Sequence, residues 1–242
     1  MHAWKACVLK GTRGSNPRPS GLLVRLIALL LGLAAPAVAQ QQQPATIDNS
    51  AIELARRQFE SGKANEAVAT LDSFEQRNGA TGRSLDLRGR IAMEGGQLDE
   101  AAKLFTAARD KDEASLGQLH FGDLLLREKK FADAREAYRR GTRQTNILGI
   151  YERLRFGMLL TYLAEKNDAD AQESLGQIRF PSESGAYYYA QAAWAYAHGQ
   201  TRDAEKWIKR CEDIFGSKVT PWFANRFYDV GWIKAKPATT GD

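Results

Sequence analysis

Beyond residue 39, the side chains suited to nucleophilic or metal chemistry reduce to His120, His198 and Cys211. Imidazole or thiol catalysis needs a partner group within hydrogen-bond reach, and zinc needs several ligands at short recurring spacings. These three residues have no such spacing. The chain also lacks a phosphate-cradling glycine loop, a Gly-x-Ser-x-Gly elbow and a His-Glu-x-x-His helix. Its many carboxylates have the distribution of a solvated helical surface. The expectation is a noncatalytic protein with no metal and no cofactor. With a single cysteine beyond residue 39, no intramolecular disulfide can form there, and Cys211 reads as a core residue of a helix.

The most regular chemical feature is an acid followed by alanine. It recurs as Glu66-Ala67, Glu100-Ala101, Asp133-Ala134, Asp170-Ala171 and Asp203-Ala204. A large apolar residue stands four positions after each alanine: Leu71, Phe105, Tyr138, Leu175 and Ile208. Successive alanines are 34, 33, 37 and 33 residues apart, the period of a stacked helix-pair array. In the first turn of a helix, each acid complements the macrodipole. These five acids are therefore structural.

The elements that carry this pattern are helix pairs. Ile52, Ala55 and Phe59 share one helical face, Gly62 breaks it, and Ala67, Leu71 and Phe74 share the next. Leu119–Leu125 reads LHFGDLL and Leu154–Leu160 reads LRFGMLL, an internal duplicate. Matching Gly157 to Gly122 assigns the fourth repeat two extra residues, expected in the loop around 164–168. Pro221, with Phe223, Phe227 and Val230 on one face, predicts a closing helix.

Residues 21–39 read GLLVRLIALLLGLAAPAVA, with an apolar run preceded by basic residues and followed by Ala37-Val38-Ala39. This predicts a secretory signal peptide over 1–39, cleaved after Ala39. Gln-rich 40–48 reads as a flexible spacer, 49–233 as the helical domain and 234–242 as a frayed tail. The leader holds five basic residues and no acid, so the remaining chain is formally neutral. Its composition therefore disfavours nucleic acid as a partner. A periplasmic or secreted protein is expected; an uncleaved leader would instead anchor a structural subunit of an envelope complex at the inner membrane.

The spacing resembles the tetratricopeptide repeat (TPR) family, with small residues at Ala55, Gly89, Gly122, Gly157 and Ala192 in the first helices and the alanines above in the second. The resemblance implies an all-α fold: a right-handed α-solenoid of about five helix pairs plus a closing helix, whose concave face binds a protein or peptide. It further implies a strip of Arg56, Arg90, Asp123, Met158 and Ala193, flanked by Glu53, Leu87, His120, Arg155 and Ala190. Candidate partner-binding residues are Arg90, His120, Asp123, Arg155, Met158, Tyr189 and Tyr196. Arg90 and Arg155 could hold an acidic peptide or pair with Glu53, Asp86 or Asp123, and His120 could be a groove or surface residue. Tyr189 and Tyr196, seven apart, either face the groove or pack against Trp222, Phe223 and Phe227. Ala134→Glu tests the repeat register. Overpacking alone costs ~1–3 kcal/mol and the buried carboxylate adds to it, so the thermal midpoint is expected to fall.

Overall fold

In the computed structural model, residues 49–111, 114–216 and 221–234 are described. The expected leader, the spacer up to residue 48 and the tail from residue 235 lie outside them. The helices are α1 (Ser50–Glu60), α2 (Ala64–Asn78), α3 (Gly82–Glu94), α4 (Leu98–Arg109), α5 (Ala114–Arg127), α6 (Phe131–Gln144), α7 (Leu148–Ala164), α8 (Asp168–Gly176), α9 (Ala186–Ala197), α10 (Thr201–Phe215) and α11 (Pro221–Asp229). The described chain is all-helical, with no strand among its residues. Odd and even helices pack as consecutive pairs, and each odd helix up to α7 also touches the next odd one.

The five repeat alanines are fully buried, and the acid before each lies exposed in the first turn of its helix. Leu71, Phe105 and Tyr138 are fully buried one turn later. The first helix must come very close to these rings. A Cβ added at Gly89 would lie 2.4 Å from the Phe105 ring, and one at Gly122 would lie 2.5 Å from that of Tyr138. Glycine is thus required there by contact distance, because interiors this dense have no spare volume for a methyl group.

All five pairs turn in the same way. The turn residues are 61–63, 95–97, 128–130, 165–167 and 198–200, and the middle one has positive φ: Gly62 81°, Gly96 78°, Lys129 60°, Lys166 58° and Gly199 73°. The third turn residue donates its N–H to a carbonyl five residues back, as in Lys130 to Leu125 at 2.8 Å and Asn167 to Tyr162 at 3.0 Å. Two turns therefore accept the left-handed conformation without glycine.

This common turn corrects the expected site of the two extra residues. The turn at 165–167 has no insertion, so they lie within α7. Seven residues before the left-handed residue stand Ala55, Gly89, Gly122 and Ala192, and in α7 that place belongs to Leu159. Gly157 faces the preceding pair instead: a Cβ there would lie 2.5 Å from the Tyr138 ring. Two residues rotate a helix face by about 200°, so sequence likeness between α5 and α7 does not carry facial likeness.

Left-handed backbone costs a residue with a side chain roughly 1–2 kcal/mol, and glycine loses roughly 0.5–1 kcal/mol in chain entropy. Lys129→Gly and Lys166→Gly are each expected to stabilise the fold by about 0.5–1 kcal/mol on these scales, measurable by urea denaturation.

Candidate partner-binding face

Of the expected binding residues, Asp123, Tyr189 and Tyr196 lie against α11. This short helix touches α5 and α9, and its rings reach Phe156 of α7. Phe223 stacks on Tyr189 at 4.9 Å and meets Phe156 edge-on at 5.1 Å. Phe227 lies 5.6 Å from Tyr189 and 5.2 Å from Tyr196, while Trp232 covers Phe227 at 5.6 Å. Tyr189 is 1% exposed as a result. Of the two placements open for these tyrosines, the structure has the one against the closing helix.

Beneath α11 sits a buried charge network. Asp123, with no exposed surface, accepts hydrogen bonds from the Tyr138 hydroxyl at 2.9 Å and the Trp222 indole N–H at 3.2 Å. Its Oδ2 lies 2.7 Å from Nη1 of Arg226, whose Nε lies 3.0 Å from Asp229. Arg127 of α5 reaches the other oxygen of Asp229 at 3.3 Å. Two carboxylates and two guanidiniums balance, as burial requires. Burial alone would lower the Arg226 pKa, but Asp123 and Asp229 raise it above the ordinary arginine value. For Asp229, burial raises the carboxyl pKa against the opposing pull of Arg226 and Arg127. Tyr138 is held far above a free phenol, first by burial and then by Asp123.

The remaining expected residues are dispersed. His120 is buried, with Nδ1 2.6 Å from an Asp86 oxygen and its ring 5.8 Å from Phe105, so it joins α5 to α3 from within. Met158 is buried in the core. Arg155 leaves the strip because of the α7 register. It donates to the Tyr151 hydroxyl at 2.9 Å and pairs with Gln177, beside a notch of about 360 Å³ formed with Leu148, Ile178 and Pro181. Arg90 remains partly exposed, its guanidinium 5.5 Å from the Phe59 ring centre.

Glu152 holds the loop that follows α8. It accepts from Ser182 Oγ at 3.1 Å, from the Glu183 and Ser184 N–H groups at 3.2 and 2.9 Å, and from Ser184 Oγ at 2.6 Å. Cys211 is buried, and burial pushes its thiol pKa up to about 11, so little thiolate exists at neutral pH. His198 stacks on Trp194 at 4.3 Å and contacts Asp168 at 3.2 Å, far in sequence from His120.

Arg153, Arg226 and Asp229 were not distinguished by spacing. The Trp222–Asp123 bond joins residues 99 apart, and the only local sign was an arginine three residues before an aspartate in the closing helix. No protein-family model, curated protein or solved structure matches the chain.

Removing one member of a buried ion pair typically costs ~3–5 kcal/mol because the partner charge is left uncompensated. Arg226→Met is expected to destabilise on that scale in urea, with part of the loss recovered in Arg226→Met/Asp123→Asn. Cys211 is expected to resist a thiol-reactive dye in the native protein and to react promptly on unfolding.

Proposed function

We propose that the chain is an exported, noncatalytic binding scaffold: a right-handed α-solenoid of the TPR kind that holds a partner protein or peptide on its concave face. The observation that carries this reading is the unequal cover of the strip of odd-helix residues. On α5, α7 and α9 this side is covered by α11, which lies over Asp123, Phe156 and Tyr189. Beside α1 and α3, Arg56 and Arg90, thirty-four residues apart, stay accessible to solvent. A repeated position that remains open at one end of a series of helix pairs suits an extended ligand.

A noncatalytic role draws support from how the polar groups are used. Glu152, beside the notch near Arg155, already spends its oxygens on the 182–184 segment. His120 and Asp86 are buried against each other. Neither arrangement presents a free acid and base to a shared cavity, as an active site would. Export rests on the apolar leader of residues 21–39. Among the described residues no helix is long and apolar enough to cross a membrane.

A photo-cross-linking residue placed at Arg56, and in a second variant at exposed Lys103 of α4, tests the reading in envelope extract. Adducts from position 56 but not from 103 are expected, and Arg90→Glu in the first variant should reduce them. Equal adducts from both positions, or none from either, would reject a binding role for this face.

A further inference from the structure

α1, α3, α7 and α11 surround two guanidiniums that differ from their neighbours. Arg56 is held by Glu53 at 2.9 Å and Glu60 at 2.8 Å, Arg127 by Asp229, and Arg226 by Asp123 and Asp229. Among the described residues, neither Arg90 nor Arg153 has a carboxylate at ion-pair distance. Arg153 is the more exacting case: its Nε is buried without a hydrogen-bond partner, and unlike the buried nitrogens of Arg226 it has no carboxylate of the described residues within ion-pair distance to compensate. Burial lowers its pKa first and the like charge of Arg90 lowers it further, while Asp123 and Glu60 oppose this at longer range. Neither acid is free to close on it. Asp123 already receives Tyr138, Trp222 and Arg226, and both oxygens of Glu60 bond Arg56 at 2.8 Å.

Geometry adds to the charge. The Arg90 guanidinium lies over the Phe59 ring at 5.5 Å, and that of Arg153 over the Trp222 ring at 5.4 Å. A ring holds the guanidinium plane and covers one of its faces; recognition is left to the N–H groups that stay open, which at Arg153, with Nε buried, are the terminal Nη pair. Those groups form a planar fork that matches a carboxylate with two parallel hydrogen bonds. Resting on the scaffold reading above, we propose that Arg90 and Arg153 form a binding site for an acidic segment of the partner, whose carboxylates supply the missing counter-charge. A free phosphate offers the same oxyanion chemistry, and the experiment separates the two.

The full chain is titrated calorimetrically with acetylated hexaglutamate, with hexaglutamine, and with inorganic phosphate at matched ionic strength. Hexaglutamate is expected to bind and hexaglutamine not to bind, with affinity falling as salt rises. Loss of two forked contacts should weaken hexaglutamate about tenfold or more in Arg90→Gln/Arg153→Gln, while Lys103→Gln behaves as the parent. Equal affinity in the double variant overturns the site, as does binding of phosphate without hexaglutamate. If the double variant loses its helical circular dichroism, partly exposed Arg90→Gln decides alone: weakened binding supports the site and unchanged binding overturns it. Cross-linking at Arg56 that persists at full yield in a folded Arg90→Gln/Arg153→Gln variant overturns this site and leaves the scaffold reading standing. Absence of any face-specific adduct overturns the scaffold reading and this site with it.

Discussion

Tyr138 and Asp123 form the contact on which most of the molecule depends. The ring of Tyr138 fills the space left by Gly122 on one side and Gly157 on the other, so one side chain of α6 is clasped by α5 and α7. Its hydroxyl ends on Asp123, and that carboxylate in turn holds Trp222 and Arg226 of the closing helix. A packing constraint between two pairs thus becomes an electrostatic constraint on a third element. Burial gives it force in both directions, because the same low-polarity surroundings that strengthen a completed network make a missing partner costly.

The closing helix changes what the repeat face can do. Were residues 221–234 ordinary solvent-facing helix, Phe156, Tyr189 and Tyr196 would present an aromatic face to a partner. They are instead spent on Phe223, Phe227 and Trp232 within the chain. What stays open lies toward α1 and α3 and is polar. The proposed ligand chemistry follows from that division: apolar recognition is satisfied internally, while the Arg90–Arg153 pair has charge that the fold does not neutralise at contact distance.

The fourth pair shows how a repeat can keep its residues and lose its register. Gly157 sits in a segment that copies the surroundings of Gly122, yet it packs on the preceding pair, and Leu159 takes the crossing position. The two extra residues lengthen α7 because the three-residue turn after it has a fixed hydrogen-bond pattern, which Lys166 adopts at positive φ. A helix absorbs extra residues at the cost of rotating one face relative to the other. Arg155 and Met158 were displaced from the expected strip by that rotation, one to the loop edge and one into the core.

What the sequence by itself determined is local and periodic. An alanine with a large apolar residue one turn later specifies a buried stripe, an acid before it suits a helix start, and a breaker between two stripes specifies a pair. Those signals lie within a few residues of one another, and the all-helical series of pairs with its closing helix was legible from them. Tertiary structure alone decided which face of α7 meets its neighbours, where α11 comes to rest, and that Asp123 and His120 lie inside. The physical reason is separation: these outcomes depend on contacts such as His120 with Asp86 or Trp222 with Asp123, 34 and 99 residues apart, and no local periodicity encodes which distant side chain will complete a buried charge.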